Sequence, residues 1–247
     1  LGTMTKEEQV RFFEAYKERN NNFYSKKRNP KEIAEWKYQR YLQDYMACVK
    51  SVDDSVGEIM EYLKASGLDK NTIIIYTTDQ GFYLGEHGWF DKRFMYEESF
   101  GMPMVMKWHG HIKPGTQVKG LTQNIDFAPT FLDFCGINIP EDMQGVSFRK
   151  LVENGETPSN WRKSLYYHYY EYPGFHSVRA HYGIKTEQYK LLNFYKENKI
   201  ELYDLKNDPE EMHNIYGLPG TEYITKKLSK ELQKLQEEYE VPDNLKK

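Results

Sequence analysis

Apolar side chains recur at three- and four-residue steps between about residues 30 and 66, as at Val49, Val52 and Val56. This spacing predicts a long amphipathic helix. Gly67 follows the last apolar position and is expected to end the helix, because glycine readily takes the left-handed conformation found at helix C-termini.

The segment from Asn71 to Thr78 is a continuous run of β-branched and aromatic residues, which is typical of a strand buried on both faces. A long helix that leads into such a strand is half of an α/β unit with a parallel sheet. A second strand at Pro103–Trp108 and a helix at Asn124–Phe134, closed by Gly136, repeat the pattern. Gly115–Leu121 is expected to form a turn and a connecting strand between them.

After about Trp161 the pattern changes to short, Tyr-rich segments with a closing amphipathic helix from about Thr221 to Tyr239. The predicted strands are Ser164–Tyr170, His181–Thr186, Tyr189–Tyr195 and Ile200–Leu205. Antiparallel strands with a terminal helix indicate a small α+β subdomain.

The fold class predicted from these elements is α/β: part of a mixed or parallel sheet flanked by helices, followed by the C-terminal α+β subdomain. We place the α/β core at residues 1–160 and the subdomain at residues 161–247. Residues 5 to about 30 are rich in charged side chains and are expected to be a mobile or helical excursion outside the core.

Composition narrows the function classes. The 247 residues carry 34 Lys and Arg against 37 Asp and Glu, a net charge of −3, which gives no electrostatic reason to expect nucleic acid or an anionic membrane surface as a partner. The apolar runs are too short to span a bilayer. Cys48 and Cys135 have no metal-ligand spacing, and each is expected to be a buried structural thiol on a helix face.

Candidate chemistry begins where the predicted strand ends, at Asp79 and Gln80. Open α/β sheets bind ligands beyond the carboxyl ends of their strands, and carboxylate and amide oxygens suit calcium or magnesium. An Asp-Gln-Gly sequence after a strand is also a common turn with a side-chain hydrogen bond, so both interpretations stay open.

The loop that follows holds three glycines, Gly81, Gly85 and Gly88, which allow the backbone to approach a ligand closely. His87 and Lys92 would supply donors for an anion. Both residues also have a structural interpretation without ligand binding: His87 as a loop histidine bonded to backbone, and Lys92 as a solvated surface lysine.

Several motifs in this order resemble the second signature region of type I sulfatases, which have an alkaline-phosphatase-like fold. They are Asp79-Gln-Gly, Gly85-Glu-His-Gly, Asp91-Lys-Arg, Tyr96-Glu and the strand entry Gly101-Met-Pro-Met-Val. Flanking stretches are similar as well, including Ser51–Gly57, Asn124–Thr130, Gly183–Leu191 and Glu201–Glu210, so that the resemblance covers most of residues 36–217.

The resemblance implies that Asp79 and Gln80 bind one calcium ion and that Lys92 contacts the sulfate ester, with His87 close by. Gln80 departs from the usual Asn or His but keeps an oxygen donor. The family's nucleophile is a formylglycine made from a Cys/Ser-x-Pro-x-Arg motif, which no Cys or Ser of this chain fits. The chain is therefore expected to be the C-terminal half of a sulfatase, inactive without the N-terminal half.

The implied substrate is a sulfated glycan, and the resemblance favours a hexosamine 6-O-sulfate of the glycosaminoglycan type, close to N-acetylglucosamine-6-sulfatases, although iduronate-2-sulfatases share the Gly-Glu-His-Gly loop. His176, Arg179 and His181 are the substrate-binding candidates. A phosphoryl-transfer enzyme of the same superfamily and a non-catalytic relative that binds sulfated glycans remain alternatives. The family's setting implies a periplasmic, secreted or lysosomal protein.

Overall fold

The computed structural model describes residues 2–246, which divide into two compact units between Leu63 and Lys64. The first unit is helical. It holds α1 (Lys6–Tyr24) and most of α2 (Pro30–Ala65), so the segment before residue 30 is a helix and the long helix is confirmed. None of the described residues of either helix is buried.

Local sequence sets the ends of both helices. Thr5 caps α1 in a capping box with Glu8. The Asn29 side chain accepts from the backbone N–H of Glu32 at 3.0 Å, and the Glu32 carboxylate accepts from the Asn29 N–H at 2.8 Å, which caps α2. Gly67 follows α2 with a φ of 72°, as predicted.

The second unit contains all of the strands among the described residues. In chain order its elements are β1 (Ile73–Thr77), β2 (Tyr83–Leu84), β3 (Phe90–Asp91), α3 (Glu97–Phe100), β4 (Met104–Trp108), α4 (Phe127–Phe134), α5 (Arg149–Asn154), β5 (Ser164–Tyr169), β6 (His181–Thr186), β7 (Tyr189–Phe194), β8 (Lys199–Asp204) and α6 (Glu222–Glu238).

The first sheet differs from expectation in its pairing and burial. Strand β1 pairs with β4 in antiparallel register, with Ile75 opposite Met106. Tyr76 is 47% exposed, so the prediction of a strand buried on both faces is wrong for the residues that the structure describes. The prediction that Gly115–Leu121 includes a strand is also wrong, because this segment has no strand pairing.

The C-terminal sheet follows the predicted pattern closely. Its four strands pair antiparallel in the order β5, β6, β7, β8. Helix α6 packs on one face through Leu228, Leu232 and Leu235, which join Ile184 and Leu202 in one apolar cluster. The three leucines recur at four- and three-residue steps, which is the spacing that puts them on one side of a helix.

The other side of the sheet supports the segment that connects β1 and β4. Tyr83, Phe94 and Met95 form one buried cluster with Leu192 and Phe194 of β7. Met95 lies directly over Gly183 of β6, where an added Cβ would come within 2.7 Å of the Met95 sulfur. Gly183 is therefore required for this close approach.

Two smaller findings complete the fold. Cys48 and Cys135 are both exposed free thiols, so the prediction that they are buried is wrong. None of the helices within residues 2–246 combines the length and the apolar character needed to cross a membrane.

Candidate functional site

Asp79 and Gln80 lie just beyond the C-terminal end of β1, after Thr78. The backbone here is held by Asn124, whose Nδ2 donates to the Asp79 carbonyl at 3.1 Å, and by Thr78, whose Oγ1 donates to the Gln80 carbonyl at 3.0 Å. The Asp79 side chain itself is 84% exposed. The backbone at Asp79 is therefore held in place, while its carboxylate is open to solvent.

Gly81 brings this strand end against helix α3. The Gly81 N–H donates to the Ser99 carbonyl at 2.9 Å, and the Phe82 N–H donates to the Glu98 carbonyl at 2.6 Å. A Cβ at Gly81 would meet the Glu98 carbonyl oxygen at 2.1 Å, so no other residue fits without moving the backbone. Gly85 and Gly88 serve differently, since both take positive φ values, 126° and 75°.

The backbone around Lys92 is unusual. Asp91 and Arg93, its two neighbours, have φ values of 82° and 104°. Non-glycine residues rarely take such values, which cost on the order of 1–3 kcal/mol each and need support from the surrounding structure. Here the Arg93 carbonyl accepts from the Tyr167 hydroxyl at 2.7 Å, and its N–H donates to Ser99 Oγ at 2.8 Å.

This conformation places Lys92 beside Asp79. The Lys92 Nζ lies 3.7 Å from Asp79 Oδ2, and the lysine side chain is 31% exposed. A separation of this size between partly exposed groups makes a weak ion pair on its own. The two groups place a positive and a negative charge side by side at an open surface. Such a pair suits a site in which Asp79 binds a cation and Lys92 binds an anion.

His87 lies in a separate pair. Its Nε2 is 3.4 Å from Glu98 Oε2, and its ring stacks on Tyr96 with 4.5 Å between the centroids. The imidazole is only 11% exposed, and none of its contacts among the described residues reaches Asp79 or Lys92. The structure thus brings Asp79 and Lys92 together, whereas His87 lies in the same loop with Glu98 and Tyr96 as its partners.

A polar cluster formed by Asp91, Arg93 and His176 flanks Lys92. Arg93 is paired with Asp91, and its Nη2 lies 2.9 Å from His176 Nε2. The His176 Nδ1 is 3.6 Å from Asp91 Oδ2. Because the guanidinium can only donate, His176 accepts through Nε2, and Nδ1 carries the proton that faces Asp91. The sequence singled out His176 as a substrate-binding candidate and Asp91-Lys-Arg as a family motif, but it did not predict that they lie together.

The three substrate-binding candidates have different surroundings. His176 is exposed and belongs to this cluster, whereas Arg179 pairs with Glu197 at 3.4 Å and with the Tyr172 hydroxyl. His181 is fully buried, with its ring 5.5 Å from that of Phe94. Burial, which outweighs the bond to the Arg179 carbonyl, lowers the pKa of His181 to about 4. The expectation that His181 contacts substrate is not met in this structure, because a neutral buried ring has no surface to offer.

The donors at the strand end fit part of a calcium site. Asp79 offers an exposed carboxylate, and the Gln80 Nε2 donates to Ser99 Oγ at 3.3 Å, which leaves the amide oxygen for a cation. Calcium takes six to eight oxygen ligands. No group of three or more acidic, His or Cys residues that could hold a metal occurs within residues 2–246. The remaining ligands would have to come from water or from outside the described chain.

Comparison with known proteins places the chain in a family. The sulfatase family model matches residues 6–137, and the model for the C-terminal part of N-sulphoglucosamine sulphohydrolase matches residues 85–238.

Individual relatives agree with these matches. The chain is 49% identical over 237 residues to an N-acetylglucosamine-6-O-sulfatase of Bacteroides thetaiotaomicron, an alignment that covers 95% of this chain and 42% of the relative. The structure superposes with a TM-score of 0.92 and 46% identity on a protein solved in complex with its substrate D-glucosamine-2-N,6-O-disulfate, covering 99% of this chain and 50% of that one. A phosphonate monoester hydrolase of Agrobacterium radiobacter gives a TM-score of 0.67 at 26% identity, covering 76% of this chain and 39% of that one.

The chain spans about half the length of these proteins or less. The shared fold is the alkaline-phosphatase-like fold of sulfatases, which agrees with the predicted fold class. Because each family model matches more than half of the chain, the chain belongs to the sulfatase family.

Proposed function

We propose that this chain forms the metal- and sulfate-binding part of a sulfatase that hydrolyses the 6-O-sulfate ester of a glucosamine unit in a sulfated glycan. The observation that carries the proposal is the Lys92 ammonium 3.7 Å from the exposed Asp79 carboxylate. The 49% identity to an N-acetylglucosamine-6-O-sulfatase supports the choice of sugar.

In this proposal Asp79 and Gln80 hold one calcium ion through their side-chain oxygens. When bound, the ion supplies positive charge that orients a sulfate oxygen and offsets its negative charge. Lys92, beside Asp79, adds a fixed positive charge that would stabilise the charge developing on the bridging oxygen as the S–O bond breaks. His87 lies in the same loop and is the candidate for moving a proton at the leaving oxygen.

The attacking nucleophile is not among these residues, since no Cys or Ser of the chain lies in a Cys/Ser-x-Pro-x-Arg motif. We propose that a formylglycine and the other metal ligands come from further residues of the same protein. Turnover therefore needs those residues, and the 247-residue chain alone should release no sulfate.

The sugar itself would be recognised beside Lys92. The cluster of Asp91, Arg93 and His176 offers an acceptor, a fixed cation and a neutral imidazole within one hydrogen-bonded group. Hydroxyl and charged substituents of a glucosamine ring match this mixture of donors and acceptors. Arg179, exposed on the same connection between β5 and β6, is a second cation for a more distant anionic group.

A phosphoryl-transfer activity is the rival function, because the fold is shared with a phosphonate monoester hydrolase. The sulfatase family's usual surroundings make a periplasmic, secreted or lysosomal protein the proposed setting.

The deciding experiment uses the complete gene product. Sulfate release from 6-O-sulfated N-acetylglucosamine is measured beside hydrolysis of a phosphonate monoester, and peptide mapping looks for a formylglycine upstream of this chain. Release of 6-O-sulfate with a mapped formylglycine supports the proposal. Faster phosphonate hydrolysis would favour the rival, and binding of the sulfated sugar without any hydrolysis would indicate a glycan-binding relative.

A further inference from the structure

Ser99 lies behind the candidate site rather than in it. The residue belongs to the short helix α3 and is 1% exposed. Its Oγ accepts two hydrogen bonds, from Gln80 Nε2 at 3.3 Å and from the Arg93 N–H at 2.8 Å. One buried hydroxyl thus joins a candidate metal ligand to the backbone that follows Lys92.

The position of Ser99 is itself fixed. Its carbonyl accepts from the Gly81 N–H at 2.9 Å, directly after Gln80. At the start of α3, the Glu97 N–H donates to Glu211 Oε2 at 2.7 Å, and the Glu97 carboxylate lies 2.8 Å from the buried Lys190 Nζ. The hydroxyl is therefore presented from a short helix whose first residue is bonded to Glu211 and paired with Lys190.

This arrangement matters because a glutamine amide has one end that repels a cation and one that attracts it. The NH₂ group can only donate, whereas the oxygen can only accept or coordinate. With Nε2 bonded to Ser99, the oxygen is the end left for a metal ion. Without the hydroxyl the amide could rotate, and half of its orientations would direct NH₂ toward the cation. Hydrogen bonds of this kind to metal ligands commonly tune affinity by about 10- to 100-fold.

We propose that Ser99 is a positioning residue that orients the Gln80 amide for calcium. The inference rests on the proposed metal-binding role of Asp79 and Gln80. It adds a residue that touches neither the ion nor the substrate.

The test is a calcium titration of the complete gene product after removal of bound metal, by isothermal titration calorimetry. Ser99→Ala should weaken calcium binding by about tenfold or more. Ser164→Ala is the matched control. Ser164, on strand β5, is also a buried serine, 7% exposed, and its Oγ donates to Glu231 at 3.0 Å. This control should leave calcium affinity unchanged even if it lowers the melting temperature.

A double-mutant cycle separates orientation from general loosening. If Ser99 acts through the amide, Ser99→Ala should weaken calcium binding no further in a Gln80→Ala background. Equal effects of Ser99→Ala and Ser164→Ala, or fully additive effects in the cycle, would overturn the inference while leaving the metal site intact. Absence of calcium binding by the unaltered protein would overturn the proposed metal site and this inference together.

Discussion

The segment from Asp79 to Gly101 and the four-stranded C-terminal sheet are built in opposite ways. The sheet has four regular strands in continuous antiparallel register. The segment has two-residue strands, a four-residue helix and positive φ values at His87, Asp91 and Arg93. Yet the irregular segment holds most of the candidate chemistry, and the regular sheet holds its supports.

The supports are specific contacts. The Tyr167 hydroxyl of β5 bonds the Arg93 carbonyl, Met95 packs over Gly183 of β6, and Lys190 of β7 pairs with Glu97. An unfavourable backbone conformation persists only where its surroundings determine it. The geometry around Lys92 therefore depends on residues that lie about 70 to 120 positions later in the sequence.

The largest expected effect, a loss of unfolding free energy, comes from replacing Lys190, which pairs with Glu97 of the segment. Its side chain is fully buried and lies 2.8 Å from both Glu97 and Glu211. Burial opposes the charge on Glu97, but Lys190 and Lys185 outweigh it and lower the pKa of that carboxyl. Lys190→Met would leave the buried Glu211 carboxylate without its cation, while Glu97 would keep only Lys185. Breaking a buried pair in this way costs about 3–5 kcal/mol of unfolding free energy.

Urea unfolding at neutral pH measures this loss. Lys31→Met is the control, because Lys31 pairs with Glu35 at 3.8 Å and both side chains are exposed, 86% and 62%. The control should cost less than about 1 kcal/mol. Similar losses in the two variants would show that the buried network contributes little to holding the segment on the sheet.

The sequence predicted the sheet far better than the segment. Strands β5 to β8 and helix α6 follow from local signals, namely Tyr-rich runs and apolar residues at helical spacing. The candidate residues Asp79, Gln80 and Lys92 came from a strand end and a family resemblance. Their proximity could not be derived, because it depends on left-handed backbone at Asp91 and Arg93, which these residue types do not indicate.

The misses share a physical cause. Exposure of Tyr76, Cys48 and Cys135 contradicts predictions made from apolar runs alone, since a run shows that burial is favourable but not which surface provides it. Ser99 and Lys190 could not be identified either, because a buried hydroxyl or ammonium is defined by partners distant in sequence. His181 is a residue type that often binds ligands, but its surroundings here are those of a core residue.

The second prediction tests the segment directly. Lys92→Ala removes the fixed cation beside Asp79, and loss of one such stabilising group typically lowers kcat by about 10²–10³-fold. Steady-state kinetics of the complete gene product on 6-O-sulfated N-acetylglucosamine would measure it. Lys119→Ala is the control, as this lysine is exposed and lies on the connection between β4 and α4. Unchanged kcat in Lys92→Ala would exclude Lys92 from the reaction.

A smaller effect is expected from the cluster that surrounds Lys92. Arg93→Lys keeps the charge but loses the planar group that meets Asp91 and His176 together. We expect KM for the sulfated sugar to rise about tenfold, which is about 1.4 kcal/mol of binding, with kcat changed less. His176→Ala should raise KM in the same direction. If both variants lower kcat and leave KM unchanged, the cluster acts on the chemical step and not on sugar recognition.

The smallest expected effect at neutral pH is a change in unfolding free energy on replacing His181 of the C-terminal sheet. His181 is buried among Phe94 and Phe194, and its pKa falls from 6.5 to about 4 in the folded state because burial disfavours the charged ring. The folded protein therefore binds this proton less tightly than the unfolded chain does. The stability that results is fully present above pH 6.5 and is lost as the pH falls from 6.5 toward 4.

His181→Phe removes this titration while keeping an aromatic ring in the cluster. At pH 7.5 the unfolding free energy should change by only about 1 kcal/mol, since the lost bond to the Arg179 carbonyl is offset by removal of a buried Nε2 that has no partner. Between pH 6 and 4.5 the wild type should lose up to about 1.4 kcal/mol more per pH unit than the variant, which is one proton's contribution. Urea titrations across this range measure both curves, and parallel curves would mean that His181 takes up its proton in the folded state as readily as in the unfolded one.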